Sequence, residues 1–296
     1  MSKDTHVPSR VFPRARQDAE SAREALSTPQ TESPAYRLAF QDMDFLLRED
    51  LRPVRFQLEL LKPQLLLDEA GIASTFVMYG SARIPEPAKA QALLELATDD
   101  ESRRIAQSLV EKSKYYDVAY ELAQLASGFP KDEDGKRHFV VCSGGGPSIM
   151  EAANRGAAEA GHETIGLNIV LPHEQAPNPY VTPSLSFQFH YFALRKMHFL
   201  LHARALAAFP GGFGTFDELF ELLTLIQTGK IQPIPVLLFG RAFWDRVVNF
   251  EALVEEGVVS RRDLSIFTYV ETAQEAWDVV QDFYKDRPFD NGVPTA

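Results

Sequence analysis

Short runs of apolar residues alternate with longer amphipathic segments over most of this chain. The runs at 75–79, 138–142, 164–170, 185–189, 205–209, 234–239 and 267–270 are predicted to be strands. The segments at 87–97, 101–127, 148–160, 192–203, 216–228, 242–256 and 272–284 are predicted to be helices. Several of the strands are apolar at consecutive positions, which is typical of strands covered on both faces. The pattern predicts an α/β fold, a Rossmann-like doubly wound parallel sheet flanked by helices.

The first 73 residues follow a different pattern. Residues 1–35 are polar and show no apolar periodicity, so they are predicted to be a disordered tail. Apolar residues from Leu38 to Leu47 are spaced for one helix, and those after Pro53 predict a second helix that is interrupted or bent at Pro63. Residues 36–73 are therefore predicted to form a helical extension to a Rossmann-like domain at 74–296.

Composition narrows the class of protein. The 296 residues include 30 Lys and Arg against 41 Asp and Glu, which gives a formal net charge of −11. A chain this acidic lacks the basic footprint of a nucleic-acid-binding protein. No apolar run reaches the roughly 18 to 20 residues that cross a membrane, and the first residues do not resemble a secretory signal. The one cysteine, Cys142, fits a reducing compartment and is expected to be a packed thiol. We expect a soluble cytoplasmic protein.

Three predicted strands end in turns that are rich in small residues. The turn after the first strand reads Gly-Ser-Ala-Arg at 80–83, the second reads Ser-Gly-Gly-Gly-Pro-Ser at 143–148, and the third reads Pro-Gly-Gly-Phe-Gly-Thr at 210–215. Ligands bind beyond the carboxyl ends of parallel strands, where glycine lets them approach the backbone and a helix start attracts anions. The two triple-glycine turns are therefore predicted to hold one phosphate.

The common nucleotide motifs fail at these turns. Ile149 stands where a G-x-G-x-x-G fingerprint needs its third glycine, and neither glycine turn leads into the Lys-Ser/Thr pair of a P-loop. A nicotinamide dehydrogenase and a nucleoside triphosphatase are therefore unsupported. We expect a mononucleotide phosphate instead.

Charged side chains are predicted to converge on the same crevice. Glu218 is expected in the first turn of the helix that follows the third glycine turn, where the helix N-terminus would keep it ionised, and Glu221 could share its face. Arg195 and Lys196 lie in the helix just before the fifth strand. A structural alternative stays open for each: a solvated helix face for Arg195 and Lys196, and a favourable helix-start charge for Glu218.

Other residues are given structural roles. His198 and His202 have the spacing of a helical metal pair but lack the Glu of H-E-x-x-H, so packing is favoured over zinc and no metal site is predicted. Met150 is expected either to contact a base or to pack in the core. The proline-rich segment at 171–181 is a candidate lid.

The joint pattern of GSAR, SGGGPSIMEAANRGA, ALRK and PGGFGTFDELFE resembles the LOG (LONELY GUY) family, over residues 74–284. The family motif P-G-G-x-G-T-x-x-E is matched in full at 210–218. The resemblance implies a phosphoribohydrolase that cleaves a nucleoside 5′-monophosphate, such as AMP or a cytokinin riboside monophosphate, to free base and ribose 5-phosphate. It maps the catalytic residues onto Arg195 and Glu218. Thr215 is expected to donate its hydroxyl to a phosphate oxygen.

The expected substrate-binding residues are Gly80, Ser81, Arg83, Gly144, Gly145, Gly146, Met150, Lys196, Gly211, Gly212, Gly214, Thr215 and Glu221. Residues 74–296 would then be a nucleotide-binding catalytic domain that needs no cofactor, and the resemblance implies a homodimer or larger homo-oligomer. Family members also carry the label "possible lysine decarboxylase", but nothing in the sequence supports a Schiff-base lysine. The alternative is a protein of the same fold that binds a nucleotide or phosphorylated cofactor without hydrolysing it.

Overall fold

The computed structural model describes residues 12–172 and 176–286. Within them, seven strands form one parallel sheet with the order β4-β3-β2-β1-β5-β6-β7. The strands are β1 (Thr75–Tyr79), β2 (Val140–Ser143), β3 (Ile165–Ile169), β4 (Ser186–Phe189), β5 (Ala203–Ala208), β6 (Val236–Phe239) and β7 (Thr268–Val270). The predicted Rossmann-like doubly wound sheet is confirmed.

Helices connect the strands and cover both faces of the sheet. They are α1 (Ala15–Ser21), α2 (Met43–Leu46), α3 (Arg52–Glu69), α4 (Pro87–Glu95), α5 (Asp100–Ser127), α6 (Ile149–Glu159), α7 (Phe192–Leu201), α8 (Phe213–Gln227), α9 (Arg241–Val247), α10 (Phe250–Glu255) and α11 (Ala273–Tyr284). The predicted helix at 242–256 is two helices, because the Asn249 side chain accepts the N–H of Ala252 and starts α10.

Strand β1 shows why its residues are apolar at consecutive positions. Phe76 and Met78 pack in the core under α5, α6 and α11, whereas Val77 and Tyr79 pack on the opposite face under α7 and α8. Successive strand residues point to opposite faces, so a strand with helices on both sides buries every side chain. All five residues of β1 are buried.

The strand order changes direction between β1 and β5. Hydrogen bonds join the ends of these two strands: the N–H of Phe209 donates to the carbonyl of Tyr79 at 2.8 Å, and that of Ser81 to the carbonyl of Pro210 at 3.1 Å. A change in strand order leaves a crevice beyond the strand ends, which is where ligands bind in open α/β sheets. The first and third of the predicted turns therefore lie side by side at this crevice.

The N-terminal part differs from its prediction. Residues 15–21, expected to be disordered, form the helix α1, whose residues are all exposed except Ala19, so no apolar periodicity marks it. The single helix predicted between Leu38 and Leu47 is wrong. A 3-10 turn at Ala39–Gln41 is followed by the short α2, since Asp42 adopts an extended conformation and caps the N–H of Phe45.

The chain divides after Leu58 into two compact units, whereas the sequence placed the domain boundary after residue 73. The later half of α3 belongs to the larger unit, because Leu67 packs in its core. Helix α3 continues through Pro63. Among the described residues, no helix combines the length and the apolarity that a membrane span requires.

Candidate functional site

A cavity of about 870 Å³ lies over the carboxyl ends of β1 and β5. Its lining includes the turn after β1, the start of the turn after β2, the first turns of α8 and two residues of α7. The predicted site residues in its lining are Gly80, Ser81, Arg83, Gly144, Met150, Arg195, Gly212, Gly214, Thr215 and Glu218. The structure therefore brings together residues from three turns and both predicted catalytic side chains.

The N-terminus of α8 forms one wall of the cavity. No side chain caps this helix at Gly212, so its first N–H groups are left for another acceptor. Thr215 lies in the same wall, and a Cβ on Gly211 would overlap the Thr215 side chain. Glycine at 211 is therefore required by the packing of the turn. An uncapped helix start of this kind attracts an anion such as phosphate.

Arg195 and Glu218 form an ion pair in the cavity. Nη1 of Arg195 lies 3.4 Å from Oε1 of Glu218, and the two side chains are only 12% and 13% exposed. The Arg195 Nε donates to the carbonyl of Leu167 at 2.6 Å, and its guanidinium carbon lies 5.1 Å from the centre of the Phe199 ring. These contacts hold the guanidinium at a fixed place beside the carboxyl group.

The protonation of Glu218 differs from the expectation. Because α8 begins at Phe213, Glu218 lies in its second turn, and burial raises the pKa of Glu218 to about 7 even though the Arg195 charge opposes this. The expectation that Glu218 lies in the first turn was wrong, and desolvation opposes the ionisation that was expected there, because its effect on the pKa exceeds that of the Arg195 charge. A carboxyl group with this pKa can take up or release a proton near neutral pH.

The raised pKa of Glu218 makes a testable contribution to stability. Between pH 4.5 and about 7 the Glu218 carboxyl group keeps its proton in the folded chain and releases it in the unfolded chain. The protonated group therefore stabilises the folded state fully below pH 4.5, and this contribution is lost as pH rises through about 7. We expect the unfolding free energy of Glu218→Gln, relative to wild type, to rise by about 3 kcal/mol from pH 4 to pH 8. Urea unfolding across this range measures the difference.

The control for this prediction is Glu95→Gln, which changes an exposed carboxyl group at the end of α4. Its stability relative to wild type should stay constant over the same range. A difference between Glu218→Gln and wild type that is flat with pH would contradict the raised pKa.

Lys196 and Glu221 lie next to this pair but outside the cavity lining. The Lys196 ammonium lies 2.9 Å from Asp217 and 3.0 Å from Glu221. Burial alone would lower the pKa of Lys196. Its hydrogen bonds to the two carboxylates have the larger combined effect, so the pKa lies above its ordinary value. Both residues were predicted to bind substrate. The structure gives them ion pairs with each other on the outer side of Glu218.

The second glycine turn differs most from its prediction. Gly145 and Gly146 lie outside the cavity lining. The Gly145 N–H donates to Ser143 Oγ at 3.0 Å, and the two glycine carbonyls accept from the backbone N–H of Asn178 at 2.8 Å and from its Nδ2 at 3.0 Å. Gly145 has a φ of +72°. A Cβ on Gly144 would lie 2.5 Å from Nη2 of Arg195 and 2.9 Å from Sδ of Met150. This turn therefore makes room for the arginine, and of its three glycines, all predicted to bind substrate, only Gly144 lines the cavity.

A buried amide network holds that turn in place. Asn154, fully buried in α6, accepts hydrogen bonds at Oδ1 from Ser143 at 2.7 Å and from Asn178 at 2.8 Å. Its Nδ2 donates to Thr164 Oγ1 at 2.6 Å and to the carbonyl of Ile165. Every hydrogen-bonding group of this amide is engaged, so the network fixes the end of β2 relative to β3.

Sequence reasoning missed the apolar part of the lining. The cavity is also lined by Tyr79, Ala82, Ile169, Leu171, Phe192, Phe213, Phe216 and Val247. A largely apolar cavity with a few charged groups is typical of sites that bind small molecules. Burial, with a smaller contribution from the Glu218 charge, raises the pKa of Tyr79 well above its ordinary value, so its hydroxyl stays neutral. Apolar residues of this kind carry no sequence pattern that separates them from the core.

The remaining candidates have structural partners. The Nε2 atoms of His198 and His202 lie 3.1 Å from the carbonyl of Glu59 and 3.0 Å from Oε1 of Gln64, so both rings pack on α3. Burial raises the pKa of the Cys142 thiol, which disfavours a nucleophile. Part of the candidate lid at 171–181, namely 173–175, lies outside the described residues; Leu171 lines the cavity.

Parts of this chain are similar to known proteins. Residues 150–280 match a family model described as "possible lysine decarboxylase". The chain is 28% identical over 177 residues to the cytokinin riboside 5′-monophosphate phosphoribohydrolase LOG2 of Arabidopsis thaliana, covering 58% of this chain and 78% of that protein. The corresponding enzyme LOG3 of the same plant is 29% identical over 170 residues, covering 56% and 74%.

A solved structure of a protein designated TM1055 is 22% identical and aligns with 71% of this chain and 99% of its own, with a TM-score of 0.45. The residues matched by the family model include both Arg195 and Glu218. Over the part of the chain that the family model and the plant enzymes match, this chain is similar to the LOG family.

Proposed function

We propose that this protein is a nucleoside 5′-monophosphate phosphoribohydrolase, which cleaves the N-glycosidic bond of AMP or of a cytokinin riboside monophosphate. The products are the free base and ribose 5-phosphate. The observation that carries the proposal is the desolvated Arg195–Glu218 pair in a cavity whose wall is the uncapped start of α8. The plant relatives named for this reaction support it.

The 5′-phosphate is assigned to the start of α8. The free N–H groups there and the Thr215 hydroxyl supply donors, and Arg83 and Arg195 supply positive charge in the same cavity. Holding the phosphate fixes the ribose relative to the rest of the lining, which lowers the entropic part of the barrier. The apolar wall then receives the base.

Glu218 is assigned the chemical role. Breaking the bond between the base and C1′ places positive charge on the ribose, and a nearby carboxylate stabilises that charge. The same group can accept a proton from the attacking water, because its pKa of about 7 leaves it partly ionised near neutral pH. Arg195 offsets the negative charge of the phosphate or of the departing base.

Incubation of the purified protein with AMP, GMP, CMP and isopentenyladenosine monophosphate tests the proposal. Chromatography should detect free base and ribose 5-phosphate in equal amounts from at least the adenine nucleotides. Binding of AMP without release of any base would overturn it in favour of the alternative, a protein that binds a nucleotide or phosphorylated cofactor without hydrolysis.

A pyridoxal-phosphate decarboxylase is not supported by the residues present. Such enzymes hold the cofactor on a lysine whose amine is easily deprotonated. Among the described residues of the cavity lining there is no lysine, and the neighbouring Lys196 is paired with two carboxylates that raise its pKa. The site does not fit the chemistry that the family model's description names.

Arg195→Ala is expected to lower kcat/KM for AMP by about 10² to 10³-fold, because the cavity loses its desolvated cation beside Glu218. Arg195→Lys should recover little of this, since lysine lacks the fork that bonds Leu167 and faces Glu218 together. Steady-state kinetics measures both. The control is Arg241→Ala, which removes an exposed arginine of α9 paired with Asp245 and should leave the kinetics unchanged. If Arg195→Ala has wild-type kinetics, Arg195 takes no part in the mechanism.

We also propose a cytoplasmic homodimer or larger homo-oligomer. Large apolar side chains lie exposed on α7 and at the start of α8: Phe192, Met197, Leu201 and Phe213, the last being 95% exposed. Exposed apolar side chains grouped in this way are typical of an interface. Light scattering should give a mass of at least two 33.2 kDa chains, and Met197→Asp should reduce it. A wild-type monomer would contradict this proposal.

A further inference from the structure

A second cavity, of about 670 Å³, lies on the other side of the third glycine turn. It shares Ser81, Arg83 and Gly212 with the first cavity. One wall is a face of α5 in which lining residues recur every three or four positions, and another is α9. The cavity is thus built on helices that do not contribute to the Arg195–Glu218 pair.

The lining of this cavity is strongly basic. It contains Arg83, Arg104, Lys112 and Arg246, against the single carboxyl group of Glu101. Within 12–172 and 176–286, none of the four cations lies at ion-pair distance from a carboxylate. The Lys112 ammonium bonds Ser108 at 2.5 Å, and the Arg104 Nε bonds the carbonyl of Asp100 at 3.2 Å.

Four cations without an ion pair to any described carboxylate are unexpected in a chain whose net charge is −11. Carboxylates outnumber cations in this chain, so an exposed cation has many carboxylates with which it could pair. Four like charges around one cavity repel each other unless an anion lies between them. The four cations and the one carboxylate give the lining a formal charge of +3. A monophosphate carries at most two negative charges near neutral pH, whereas a diphosphate carries about three.

We propose that the second cavity binds the diphosphate group of a small molecule. Arg104 and Lys112 reach the cavity from α5, about two helical turns apart, Arg246 lines it from α9, and Arg83 is shared with the first cavity. Arginine and lysine side chains on three separate elements can surround two phosphoryl groups, and charge-assisted hydrogen bonds to them are strong. This site adjoins the α8 helix start, to which the substrate phosphate is assigned, and shares Arg83 and Gly212 with the first cavity, whereas Arg104, Lys112 and Arg246 line the second cavity alone.

Isothermal calorimetry of the full chain with inorganic pyrophosphate tests the proposal. The double variant Arg104→Gln with Lys112→Gln should weaken binding by about tenfold or more. The matched control is Arg103→Gln with Lys114→Gln, which removes two charges from α5 at positions outside the cavity, and it should change the dissociation constant by no more than about twofold. Equal losses in both variants would overturn the proposal, as would a wild type that binds no pyrophosphate.

Two further arms test the sign and the size of the charge effect. Glu101→Gln removes the one negative charge of the lining and should tighten pyrophosphate binding by about threefold, a gain that a misfolded variant cannot imitate. Inorganic phosphate should bind the wild type about tenfold more weakly than pyrophosphate, and equal affinities would overturn the assignment to a diphosphate. Calorimetry measures binding without turnover. If the protein releases no base from AMP but binds pyrophosphate as expected, the phosphoribohydrolase proposal is wrong and the diphosphate site stands.

Discussion

Glu218→Gln is expected to lower kcat for AMP hydrolysis by about 10³-fold while KM stays within about threefold. Glutamine keeps the size of the side chain and an oxygen that can face Arg195 at the present 3.4 Å, so the cavity and the phosphate site should remain intact. What is lost is the negative charge near C1′ and the group that accepts a proton. Initial rates of adenine release over a range of AMP concentrations measure both constants.

The neighbouring carboxyl group provides the control for this variant. Asp217 is 57% exposed, pairs with Lys196 and lies outside the cavity lining, so Asp217→Asn should keep kcat within about threefold. If Glu218→Gln raises KM and leaves kcat unchanged, the carboxyl group acts in binding and the proposed mechanism is wrong. In the wild type, kcat/KM should rise with pH up to about 7, where Glu218 loses its proton.

The parts of this molecule that could be predicted from sequence are those set by local patterns. The consecutive apolar residues of β1 identify a strand buried on both faces, and the turns at 80–83 and 210–215 contain the residues that reach the cavity. The start of α8 was predicted three residues late, because Gly214 and Thr215 have low helix propensity. Because of that error Glu218 was predicted in the first turn of α8 instead of the second, and its burial was not predicted.

The remaining features depend on contacts between distant segments. The pKa of Glu218 is set by desolvation in a cavity formed by several elements, and Arg195 is held by the carbonyl of Leu167 in another strand. Gly145 and Gly146 have the composition of a phosphate-binding turn, yet both lie outside the cavity lining and bond Asn178 through their carbonyls. No local pattern indicates which residue will bond a backbone group thirty positions away.

The same amide network carries the largest stability effect we expect. Asn154→Ala should destabilise the fold by about 3 kcal/mol, because it removes the buried hydrogen bonds that the amide makes to Ser143, Asn178 and Thr164. Urea unfolding at constant pH measures this loss. Since the network supports the turn that makes room for Arg195, AMP hydrolysis by the folded fraction should also fall, by about tenfold.

Asn249 provides the control, because replacing it also removes a hydrogen bond of an asparagine side chain, but at an exposed position. Asn249 is exposed and caps α10 through the N–H of Ala252, so Asn249→Ala should cost only about 1 kcal/mol and leave hydrolysis unchanged. Equal losses of stability in the two variants would mean that burial adds nothing to the Asn154 network. If Asn154→Ala is as stable as the wild type but hydrolyses AMP slowly, the network does not stabilise the fold. The loss of activity would then come from a displaced turn that alters the position of Gly144 relative to Arg195.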